Sequence, residues 1–144
     1  MRTESPQRPD KLILSDEEWK TRLTPEQFRI LRAQGTERPF CGVFYDNHKT
    51  GVYHCVGCNL PLFKSDAKFD SGTGWPSFFQ PYNTENVWFH EDRSYGMLRK
   101  EVLCARCDGH LGHVFDDGPP PSGLRYCINS ECLTFEEAKP EATP

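Results

Sequence analysis

KEVLCARCDGHLGHVF, residues 100–115, decides the fold. It opens as a short apolar run, closes on the CxxC pair Cys104 and Cys107, and then meets Asp108 and Gly109, residue types that turn a chain. The same order occurs earlier in GVYHCVGCN, residues 51–59: an apolar run, then Cys55 and Cys58, then Asn59. Asn and Asp tolerate left-handed backbone angles, so the amides behind each pair can fold back toward bound thiolates. Two such knuckles brought together make a tetrahedral four-thiolate site with no open position, which reads as structural zinc. Cys104 follows Cys58 by 46 positions, so the knuckles are expected on separate hairpins that the metal stitches together.

Outward from the knuckles, the chain beyond Phe40 breaks into short segments rich in β-branched and aromatic residues, among them NVWFH and LRYCIN, separated by Gly, Pro, Asn and Asp. That pattern predicts a mainly β domain. Between Ser15 and Gly35 lie two helix starts: Ser15 with Glu18, and Thr24 with Pro25 and Gln27, each a capping box. Phe28, Ile30 and Leu31 would form the second helix's apolar stripe, and Gly35 a left-handed stop. One domain is expected over 12–135, with short helices at 15–35 and flexible ends at 1–11 and 136–144. The GPPPSG run at 118–123 should form a stiff surface loop.

Of the 144 residues, 36% are hydrophobic and 26% charged, which excludes a coiled coil and a wholly disordered chain. Seventeen basic against 21 acidic residues give a net charge of −4 with no basic run, so nucleic acid is not an expected partner. No stretch approaches a membrane span, and the N-terminus lacks the apolar core of a signal peptide. A reducing, cytoplasmic setting is expected, where CxxC pairs read as metal ligands or redox motifs before disulfides.

Four ligands leave Cys41, Cys127 and Cys132. Strand alternation in RYCIN, residues 125–129, puts Arg125, Cys127 and Asn129 on one face and Tyr126 and Ile128 on the other. A guanidinium two positions from a thiol favours the nucleophilic thiolate, although an inert strand cysteine is the plainer alternative. His110 and His113 stand directly after the second knuckle and are not needed by the metal, so either can serve as a proton donor beside a thiolate or as a turn residue. In SGTGWPSFF, residues 71–79, Trp75 precedes a proline that holds it extended, and its indole can wall a small pocket or pack in the core.

GWPSF, the two CxxC pairs, GHLGHVFDDG and RYCIN, in this order and spacing, resemble the motifs of the B-type methionine-R-sulfoxide reductases over residues 12–135. The resemblance implies two antiparallel sheets with structural zinc on Cys55, Cys58, Cys104 and Cys107. It also implies thiol-dependent reduction of methionine R-sulfoxide in proteins and peptides, with thioredoxin as reductant; a monomer is the expected state of the chain. Residue by residue, it makes Cys127 the nucleophile that becomes a sulfenic acid, and His113 with His110 the groups that bind and protonate the sulfoxide oxygen. Arg125 and Asn129 would support the site, and Trp75 would cage the substrate methyl with Phe115 nearby. Many relatives carry the resolving cysteine where this chain has Thr73. Cys41, in PFCGVF, is the replacement expected here, with Cys132 as the competitor. An odd five-residue separation from Cys127 would turn Cys132 to the opposite face of an unbroken strand. Two other classes stay open: a non-enzymatic zinc-ribbon interaction module, and acyl transfer by a Cys/His/Asn set, for which spare thiols would have no use.

Overall fold

The computed structural model describes residues 3–138 and is mainly β. After two short helices, α1 (Asp16–Arg22) and α2 (Pro25–Leu31), come nine strands: β1 (Gly51–Cys55), β2 (Pro61–Lys64), β3 (Lys68–Phe69), β4 (Ser77–Phe78), β5 (Val87–Asp92), β6 (Arg99–Cys104), β7 (His110–Phe115), β8 (Arg125–Ile128) and β9 (Leu133–Glu137). They form two antiparallel sheets, ordered β2-β1-β9 and β3-β4-β8-β7-β6-β5. Both capping boxes form, with Ser15 and Thr24 accepting from the backbone of Glu18 and Gln27. The left-handed residue after α2 is Gln34 (φ 55°) rather than Gly35. Gly35 is required for space instead, since a Cβ there would sit 2.7 Å from the Arg29 carbonyl oxygen.

Alternation sends one face of each sheet into a shared aromatic core. Phe63 of β2 stacks on Phe78 of β4 at 4.4 Å between ring centres, and Tyr53 of β1 meets Phe78 edge-on at 5.2 Å. Contacts of this kind contribute about 0.5–1.5 kcal/mol each beyond the area they bury. Tyr126 and Ile128 of β8 also face this core, so Arg125 and Cys127 face the other way, as alternation requires.

The helices cap the knuckles. Leu31 and Trp19 lie on Gly57, and Leu31 also covers Gly109, so closely that a Cβ on either glycine would come within 2.8 Å of Leu31. Part of the N-terminal segment expected to be free is tied to the second knuckle: Ser5 donates to Asp108 at 2.6 Å and Lys11 to the Ala105 carbonyl at 3.0 Å. At the other end β9 runs to Glu137, past the boundary expected at 135, because it pairs along the whole of β1. Residues 139–144 of the expected tail lie outside the described residues. Among the described residues, no helix is long and apolar enough to cross a membrane.

Candidate active site and metal centre

The two knuckles are built alike. Asn59 (φ 67°) and Asp108 (φ 60°) take the left-handed conformation, and each donates its N–H to the carbonyl of the first cysteine of its pair at 2.8 Å. The chain then closes as a tight hairpin, Cys55 N–H to Leu60 and Cys104 N–H to Gly109, both at 2.9 Å. This brings the sulfurs of Cys55, Cys58, Cys104 and Cys107 within 4.8 Å of one another, all buried. The Cys55–Cys107 and Cys58–Cys104 separations are 3.7 and 3.4 Å. A tetrahedral zinc with bonds of about 2.3 Å demands sulfur–sulfur separations of about 3.8 Å, so the four thiols fit that ion. Four thiolates on a divalent ion would leave two negative charges, and three arginines are bonded to the knuckle backbone. Arg22, Arg32 and Arg106 donate to the carbonyls of Gly57, Cys107 and Cys58 at 2.9, 2.7 and 2.7 Å.

The second cluster lies on the face of the large sheet turned away from the aromatic core. Cys127 on β8 is directly opposite Ser77 on β4 and His113 on β7, and His113 is opposite Glu101 on β6. Directly opposed residues share a face, so these side chains form one row across four strands. Gly112 permits this close pairing, because a Cβ there would lie 2.0 Å from the Cys127 carbonyl oxygen. In a regular strand His110 and His113, three apart, would face opposite sides. A bulge at Leu111, between the pairs Val102–Gly112 and Leu103–His110, absorbs one residue and returns both to one face. Their rings stand edge-on at 5.5 Å.

Cys127 is half-buried, with the Thr73 hydroxyl 4.0 Å from its sulfur. Burial pushes the thiol above its ordinary pKa; Thr73 and the Arg125 guanidinium act against this and are outweighed. The sequence-based expectation had the direction of the Arg125 effect and not the net result. Arg125 is held by Asp117 through two bonds at 2.9 and 3.1 Å and lies on the Phe115 ring at 4.4 Å, which occupies one face of that ring. His113 bonds Asp92 at 2.8 Å. Burial lowers its pKa, with Asp92 opposing, while the Ser94 N–H and His113 hold Asp92 well below the usual carboxylate range.

Asn129 does not offer a free amide. It is buried, accepts from the Glu37 N–H at 3.0 Å and donates to the Leu111 carbonyl at 3.0 Å, so it fixes the exit of β8. The half-buried Trp75 indole donates to the Glu37 carbonyl at 3.0 Å. Cys41 is an exposed thiol, and its neighbour Phe40 (φ 65°) donates to the Gly74 carbonyl at 2.7 Å, joining this segment to the Thr73–Trp75 loop. Cys132 is fully buried and its thiol donates to the His110 carbonyl at 3.1 Å. The strand ends before Ser130, so Cys132 sits in a helical turn and the face-counting objection to it does not apply; burial and a committed thiol stand in its place.

Sequence reasoning missed Glu37, Asp92 and Glu101. Only Glu101 left a trace, as a charged residue beside Val102 and Leu103 in a strand. A cavity of about 690 Å³ between Phe89, Leu98, Val114 and Leu124 includes Phe115 in its wall but neither Cys127 nor Trp75.

The SelR domain matches residues 23–137. Curated relatives called peptide methionine sulfoxide reductase MsrB are similar over nearly their whole length. That of Thiobacillus denitrificans is 59% identical over 84% of this chain and 92% of its own, that of Thioalkalivibrio sulfidiphilus 57% over 87% and 91%, and that of Hahella chejuensis 54% over 92% and 96%.

Proposed function

The chain belongs to the SelR-domain family, and from that premise we propose that it is a thiol-dependent oxidoreductase that reduces methionine R-sulfoxide in proteins and peptides. The observation that supports this most is the pairing of Cys127 with His113 on adjacent strands, on one face and beside the Trp75 loop. The Cys127 sulfur takes the sulfoxide oxygen: the substrate sulfur gains two electrons, Cys127 loses two and becomes a sulfenic acid, and methionine leaves. His113, with His110, protonates the oxygen as it moves. Trp75 walls the substrate methyl, and Arg125 and Asn129 keep the frame in place.

Cys41 then attacks the sulfenic acid, forming a disulfide and releasing water, and a thioredoxin-type dithiol returns both thiols. Cys132 is the less suitable resolver, since its sulfur would have to leave the core. Cys55, Cys58, Cys104 and Cys107 would hold a structural zinc, whose four thiolate ligands would leave no position open for substrate. A monomer in the cytoplasm, repairing oxidised proteins, completes this reading.

The test is a reaction without reductant on a peptide carrying either sulfoxide epimer. The R epimer should yield a single equivalent of methionine and the S epimer none, and Cys127→Ser should yield none from either. Methionine formed by Cys127→Ser would overturn the assignment.

A further inference from the structure

His110 is 4% exposed and Glu101 2%, and they meet at 2.7 Å through Nδ1 and Oε2. Glu101 also accepts from Gln34 Nε2 at 3.1 Å, and His90 Nδ1 lies 3.4 Å from its other oxygen. The opposite ring nitrogen of His110, Nε2, is buried and has no hydrogen-bond partner among the described residues. Leaving such a group unpaired costs about 1–3 kcal/mol, so a buried orphan nitrogen on a ring 5.5 Å from that of His113 requires an explanation.

We propose that Glu101 is a positioning residue for the reaction: its carboxylate accepts from His110 Nδ1–H and fixes the ring, so that Nε2 faces the sulfoxide oxygen and, in the doubly protonated ring, carries the proton donated to it. This rests on the function proposed above and adds to it a third member behind the histidine pair. The backbone supports it independently, since Glu101 is opposite His113 in register and the bulge at Leu111 brings His110 over the same carboxylate. Burial acts to raise the Glu101 pKa, but the bond and charge of His110, with Gln34 and His90 behind them, carry it below the ordinary carboxyl value. An ionised carboxylate can only accept, so Nδ1 is the donor.

The experiment measures methionine formed in one turnover by wild type, Glu101→Gln, His110→Asn and the double variant, each checked for zinc content and thermal unfolding. Glutamine keeps the shape but removes the charge and adds a competing donor. Glu101→Gln should slow the step at saturating peptide by about tenfold or more, with half-saturation within about twofold of wild type. The double variant should be no slower than His110→Asn, because Glu101 acts through that ring. Losses that multiply in an active wild-type background would overturn the inference and leave the proposed function standing; a wild type that forms no methionine would defeat both. Should Glu101→Gln fail to fold, ¹⁵N shifts of wild-type His110 still decide: a proton on Nδ1 is expected, and a ring protonated on Nε2 alone would overturn it.

Discussion

Cys127 sits under two opposed influences, and burial is the larger. A raised pKa means less thiolate at a given pH, which lowers the reactivity of the thiol. Alkylation of Cys127 by iodoacetamide, followed on its own peptide, should therefore keep rising with pH through the ordinary thiol value of 9.0 without levelling below it. Arg125→Met and Thr73→Val remove the groups that favour the charge, and each should slow alkylation at pH 8 by roughly 3- to 10-fold. Variants that react at the wild-type rate would show that neither group governs the thiolate. Asn129 carries a similar lesson. The sequence places it on the Cys127 face in support of the site, and the structure shows how: both its polar atoms bond the backbone of Glu37 and Leu111.

Among the elements, the knuckle was the most legible, because its conformation is decided within five residues. CxxC followed by Asn59 or Asp108 specifies the left-handed turn and the direction of both sulfurs, and the structure repeats it nearly bond for bond. The helix starts were legible for the same reason, since a capping box closes over three residues. Removing one ligand should undo more than one knuckle. Cys58→Ser breaks a site that joins β1 to β6 across the two sheets and carries the platform under Leu31 and Trp19. Loss of bound zinc together with the cooperative thermal transition is expected, measured by metal analysis and calorimetry. A well-folded, metal-free variant would show that the packing suffices without the ion. The bulge at Leu111 was not legible: HLGHVF has no local signal that skips a residue, and only pairing with β6 reveals that His110 and His113 share a face.

At the scale of the whole molecule, one segment links the Trp75 loop, the exit of β8 and the exposed Cys41. Residues 37–44 hold Trp75 through the Glu37 carbonyl, Gly74 through the Phe40 N–H and Ser130 through the Phe44 N–H, and they carry Cys41 on the outer surface. Cys41 and Cys127 lie on different elements, and resolution of the proposed sulfenic acid follows methionine release, so chemistry and recycling are separable events. Cys41→Ser should form methionine in the first turnover at the wild-type rate and then stop, with no thioredoxin-driven cycling; continued cycling would assign resolution to another thiol. The sequence by itself determined what is local: the strand and helix segments, the four cysteines that cluster, and the pairing of a thiol with polar strand neighbours. It also supplied the family, through motifs several residues long. Tertiary structure alone decided which polar groups are buried together, because Glu37, Asp92 and Glu101 acquire their roles from strand register and from the chain that crosses above them. Their own neighbours in sequence carry no record of that, since burial is a property of contacts between residues far apart along the chain.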